Sequence, residues 1–144
     1  MKLYVIGAAV VVAAMYSTAV NAQSLKQKEY VAKQDAAVAE LMPHLKQECG
    51  TDIPVKFDWS NPPKPEELNH DAASYCGNYV WGVKQICSSS PVGKDTVKQK
   101  IKNVTCGFGK RSVTLKDGTL EFKVDIDSPG NDAYFALEWL QNNL

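Results

Sequence analysis

Four cysteines, Cys49, Cys76, Cys87 and Cys106, are the residues of this 144-residue chain whose type and spacing bear most directly on chemistry. A thiol can bind metal, attack a substrate or cross-link. Zinc sites draw on cysteines two to four positions apart, whereas the nearest pair here, Cys76 and Cys87, is eleven positions apart. A nucleophilic thiol needs a base beside it, and an exported thiol oxidises. An even cysteine count in an exported chain reads instead as two disulfides.

Export follows from the first residues. Lys2 supplies the positive start, Leu3 to Met15 the apolar run, and Val20 and Ala22 the small residues that signal peptidase reads. The run is shorter than the roughly 20 residues that span a bilayer. Residues 1–22 are therefore expected to be a signal peptide. Residues 23–144 are expected to be one mature domain, secreted or periplasmic, with no membrane span after signal removal. The 16 basic and 16 acidic residues balance, and loss of Lys2 leaves a net charge of −1. This is not the basic footprint of a nucleic-acid binder.

The other reactive side chains are few. His70 sits in EELNHD with Glu66 and Asp71 close by. A histidine paired with a carboxylate is a general-base arrangement, but acids gathered ahead of a helix also favour its positive end. DIDSPGND carries Asp125, Asp127 and Asp132 as oxygen donors, in partial likeness to a calcium loop. Pro129 stands at a ligand position, and no glutamate closes the loop. A strand end, a turn and a helix cap account for it better. Lys94, Lys98 and Lys102 repeat at i, i+4 and i+8, a stripe that suits an anionic surface. Trp81, with Lys84 near it, lies away from the cysteine stripe and is an interface anchor if exposed; cover from the NPPKP linker is the alternative.

These residues are positioned by a simple order of elements. Ser24 to Glu48 reads as a helix, capped by Ser24 with Gln27 three residues on and broken or kinked at Pro43. Cys49-Gly50 is a stop signal. Ile53, Val55, Phe57 and Trp59 alternate as a short strand, with Pro54 placing it at an edge or a strand start. A second helix runs from about Glu66 or Asp71 to Ser88, and a short basic one over Lys94–Lys102. Asp117-Gly118 is a two-residue hairpin turn that sets Leu115 opposite Leu120 and Val113 opposite Phe122. Val104, Cys106 and Phe108 form the strand before it, and a helix from about Asn131 or Asp132 to Leu140 closes the chain over the sheet. The fold class is α+β: an antiparallel meander of three to four strands, packed by helices and stapled by two disulfides.

Within the second helix, Cys76 and Cys87 share a stripe but stand about 16 Å apart along the axis. A disulfide needs Cα atoms within about 7 Å. Each must therefore bond elsewhere. Pairing 49–76 with 87–106 closes the shorter loops and is preferred to 49–87 with 76–106.

These readings point to an exported, non-enzymatic binding protein, of inhibitor or immunity type, that meets a protein partner or an anionic surface through Trp81, Lys84, Lys94, Lys98 and Lys102. The alternatives are a small secreted hydrolase using His70 and Asp71, and a structural envelope protein with no discrete ligand. The sequence implies neither a cofactor nor a metal, and leaves the oligomeric state open.

Overall fold

The computed structural model describes residues 24–128 and 130–144, so the expected signal peptide lies outside the described residues. Helix α1 (Leu25–Ala39) opens on a capping box. The Ser24 hydroxyl accepts from the Gln27 amide at 3.2 Å, and the Gln27 side chain accepts from the Ser24 amide at 2.6 Å. Helix α2 (Leu41–Cys49) follows after one residue. Pro43 explains the break: it has no amide to give the Ala39 carbonyl four residues back, and its ring crowds that carbonyl. Gly50 ends α2 in the left-handed region, at φ 67°.

Strand β1 (Val55–Phe57) leads through a 3₁₀ turn (Pro65–Asn69) to helix α3 (Ala72–Ser89), which Asp71 caps. Ser90 ends α3 and also caps helix α4 (Pro91–Lys100), where Pro91 occupies the first turn, a position that needs no amide donor. Strands β2 (Asn103–Phe108), β3 (Ser112–Lys116) and β4 (Thr119–Val124) follow, and helix α5 (Asp132–Asn143) closes the chain.

The sheet order is β1-β2-β4-β3. The hairpin has its expected register, Leu115 opposite Leu120 and Val113 opposite Phe122. Asp117 and Gly118 both take positive φ, 50° and 79°, as its tight turn requires. The fold is α+β, but the sheet is mixed rather than a meander: β1 and β4 both run parallel to β2. The short link from Phe108 to Ser112 steps past the end of β4, where the Gly109 amide donates to the Val124 carbonyl at 2.9 Å. Strand β4 then returns between β2 and β3. Strand β2 becomes an inner strand, buried continuously from Val104 to Gly107, while β1, with Pro54 at its start, is an edge.

The inner row of the sheet, including Phe57, Val104, Cys106, Leu120 and Phe122, is buried. Helix α3 is the hub above it, touching β1, β2, β4 and all four other helices. Helix α5 packs chiefly on α3 rather than covering the sheet, as the sequence had suggested. Gly82 permits this: a methyl group there would stand 3.2 Å from the Leu137 amide nitrogen and 3.4 Å from Ala136 Cβ.

The disulfides join Cys49 to Cys87 and Cys76 to Cys106, with Cα atoms 5.0 and 5.6 Å apart. This reverses the preferred pairing. Helix α2 ends beside the C-terminal end of α3. The chain must then run back through β1 and the 3₁₀ turn before α3 can begin. Cys76 therefore faces the sheet, where Cys106 lies opposite Phe57 in the register, and Cys87 faces α2. As expected under either pairing, α3 is tied at both ends. Val80 and Val83 lie buried between its two cysteines.

Candidate functional site

Trp81 is half-buried on α3. Tyr134 of α5 packs against it, ring centroids 5.6 Å apart at 57°. Tyr134 itself is 63% exposed, one of three large apolar side chains in that state among the described residues. The two helices thus present an aromatic pair at the surface, with Lys84 one turn beyond Trp81.

The lysine stripe is partly occupied by local work. Lys102 Nζ donates to the Lys98 carbonyl at 2.6 Å, and the Lys102 side chain lies over Gly118 of the hairpin turn. The Lys98 ammonium sits near Gly50, at the negative end of α2. Lys94 is half-buried near the start of α4. Lysine charges at helix C-termini stabilise those termini, so this stripe is spent in part on the fold.

His70 and Asp71 do not form a pair. The Asp71 carboxylate accepts from the Ser74 amide at 3.1 Å, while His70 Nδ1 lies 3.1 Å from the Tyr75 hydroxyl. The DIDSPGND acids diverge as well. Asp125 accepts from the Asp127 amide at 3.1 Å, and Asp132 turns to Arg111. Among the described residues, no three His, Cys, Asp or Glu side chains are grouped to hold a metal ion.

Two buried polar clusters were not legible in the sequence. Asp132, 3% exposed, lies 3.0 Å from Arg111 Nε. Neither atom has an aligned hydrogen-bond partner, so charge rather than hydrogen-bond geometry holds the pair. The Arg111 guanidinium also donates to the Ser128 carbonyl and covers the Phe135 ring at 5.6 Å. Beside it the Tyr79 hydroxyl donates to the Lys123 carbonyl at 2.8 Å, its ring stacked on Phe122 at 4.5 Å. Burial, then the nearby Asp132 charge, pushes the Tyr79 phenol up. In the second cluster the Tyr30 hydroxyl donates to the His70 carbonyl at 2.9 Å, and burial pushes it up to about 12. Both tyrosines brace the fold.

A cleft of about 740 Å³ opens at the carboxyl ends of the three parallel strands, β1, β2 and β4. Asp58 and Trp59 come from the end of β1, Phe108 and Lys110 from the end of β2, and Asp125 to Asp127 from the end of β4. Lys64, Glu66 and Glu67 of the linker and 3₁₀ turn close one side. The sequence could have signalled this site only through the parallel topology, because ligands of open sheets bind beyond the strands' carboxyl ends.

No family model matches the chain, and no solved structure matches it. An alignment over 92 residues, covering 61% of the chain, is 28% identical to the folate synthesis bifunctional protein of Chlamydia muridarum and spans 20% of that protein. Identity at that level over a fifth of the relative's length fixes neither a family nor an activity.

Proposed function

We propose that the chain is an exported, non-enzymatic binding protein that holds a protein partner on the α3–α5 face, in the manner of an inhibitor or an immunity protein. The observation that carries this reading is Tyr134, 63% exposed and packed on Trp81, on a helix pair whose central member is tied at both ends by disulfides. Tryptophan and tyrosine are the side chains most enriched where binding energy concentrates. A rigid platform loses little entropy when it docks. Lys84 supplies a charged rim, and Lys94 a second cation towards α4. Two disulfides support an oxidising compartment. No helix of the described residues is long and apolar enough to cross a membrane.

The test is affinity capture from envelope and secreted fractions, with the exported, oxidised chain as bait and Trp81→Ala and Tyr134→Ala as paired controls. A protein retained by the parent chain and lost with both variants supports the reading. Capture indifferent to both variants refutes the assigned face, and a bait that retains nothing favours an envelope role with no discrete partner.

A further inference from the structure

We propose a second site, independent of the α3–α5 face: the cleft at the carboxyl ends of β1, β2 and β4 binds a neutral oligosaccharide, seated on Trp59. The Trp59 indole is fixed before any ligand arrives. Its Nε1 donates to Asp35 at 2.7 Å, Phe57 backs it at 4.3 Å and 32°, and Tyr30 meets it edge-on at 5.7 Å. With Nε1 satisfied by Asp35, one side stacked on Phe57, and Phe108 edge-on at 6.5 Å, the half-buried ring lines the cleft with what remains of its π surface. That surface is negative and attracts the weakly positive C–H face of a sugar ring.

Around Trp59 the lining is mixed in charge. Three lysines and five carboxylates contribute, a formal charge of −2. This repels a phosphate or other polyanion, and the three lysines oppose a polycation. A polyol suits both sets, because each hydroxyl can donate to a carboxylate and accept from an ammonium. The volume of about 740 Å³ lies within the range of roughly 300–1,000 Å³ found for ligand clefts. The turn that presents Trp59 is held as well: the Asp58 amide donates to the Cys106 carbonyl at 2.7 Å, and its carboxylate accepts from Ser60 at 2.9 Å.

The experiment is calorimetric titration of the exported, oxidised chain with cellotetraose, maltotetraose and tetra-N-acetylchitotetraose, with tetralysine and tripolyphosphate as charged controls. Saturable binding of at least one tetrasaccharide, weakened about tenfold by Trp59→Ala, is expected. Trp59→Ala also removes the contact with Phe57. Lys110→Ala/Asp127→Ala, both at exposed positions, therefore provides a second variant that leaves the core untouched and is expected to weaken binding about fivefold. Tyr134→Ala should leave sugar binding unchanged, which separates this site from the protein-binding face. The proposal is overturned if no tetrasaccharide binds at millimolar concentration, if binding ignores both cleft variants, or if tetralysine binds in place of the sugars.

Discussion

Removing the Cys76–Cys106 bridge as the double variant Cys76→Ala/Cys106→Ala should cost about 3 kcal/mol. The figure starts from the 30 residues that separate the two cysteines and is lowered by the bridge that remains. Cross-linking takes entropy from the unfolded chain in proportion to the logarithm of the loop, and a loop of that size gives about 3.6 kcal/mol at 25 °C. The Cys49–Cys87 bridge, spanning 38 residues, gives about 3.9 kcal/mol by the same relation. The two loops interleave, so with one bridge intact the second constrains a chain already shortened, and each single loss should fall nearer 3 kcal/mol. Together the bridges supply about 6 kcal/mol, within the roughly 5–15 kcal/mol that a typical domain has in total. A chain without either should be unfolded at room temperature. The assay is urea unfolding followed by tryptophan fluorescence. With a slope of about 2 kcal/mol per molar, each single-bridge variant should lose roughly 1.5 M in midpoint. A loss below 1 kcal/mol for either bridge would refute the reasoning, because the unfolded chain would then already hold those cysteines near each other.

Arg111→Met should cost about 3 kcal/mol in the same urea assay by leaving the Asp132 charge buried and unpaired, and Arg111→Met/Asp132→Leu should recover at least half of that. Alkaline stability is a second test. Tyr30 and Tyr79 have folded pKa values above their unfolded ones, so the folded state keeps protons that the unfolded state has lost above pH 10. Their contribution is complete below about pH 10 and is lost as pH rises through their folded values, at about 1.4 kcal/mol per pH unit for each tyrosine. Tyr30→Phe should flatten the slope of unfolding free energy between pH 10 and 12; an unchanged slope contradicts the assignment. Gly82→Val should cost about 2 kcal/mol in thermal or urea unfolding, because the added side chain meets the α5 backbone at Leu137.

Local signals in the sequence carried through to the structure wherever neighbouring residues set the geometry. Asp117-Gly118 fixed the hairpin register because only a turn with two positive φ angles joins such strands so tightly. Ser24 with Gln27, Pro43 and Gly50 likewise marked the ends of α1 and α2, since each acts within one helical turn. The sheet order was hidden because β2, β3 and β4 alternate in the same way whether they lie side by side or β4 inserts between the others. Only the step of Gly109 past the end of β4 decides it. Loop length misled on the disulfides, because α2 already delivers Cys49 to the far end of α3, and the chain then returns through β1 before α3 begins. The cleft was invisible for the same reason: its walls are three strand ends far apart in sequence, and only the parallel pairing brings Trp59, Lys110 and Asp127 around one opening. Trp81 was singled out on helical geometry alone, but its partner Tyr134 lies more than fifty residues away and belongs to a helix that the sequence placed on the sheet.

The most direct measurement is the dissociation constant of the captured partner for the parent chain and for Tyr134→Ala, with Glu138→Ala, an exposed neighbour on α5, as the matched control. Tyr134→Ala should weaken binding about 30-fold, the mark of an aromatic anchor worth about 2 kcal/mol, while Glu138→Ala stays within about twofold. Equal constants for all three chains would contradict the central claim that the partner is held on the Trp81–Tyr134 face.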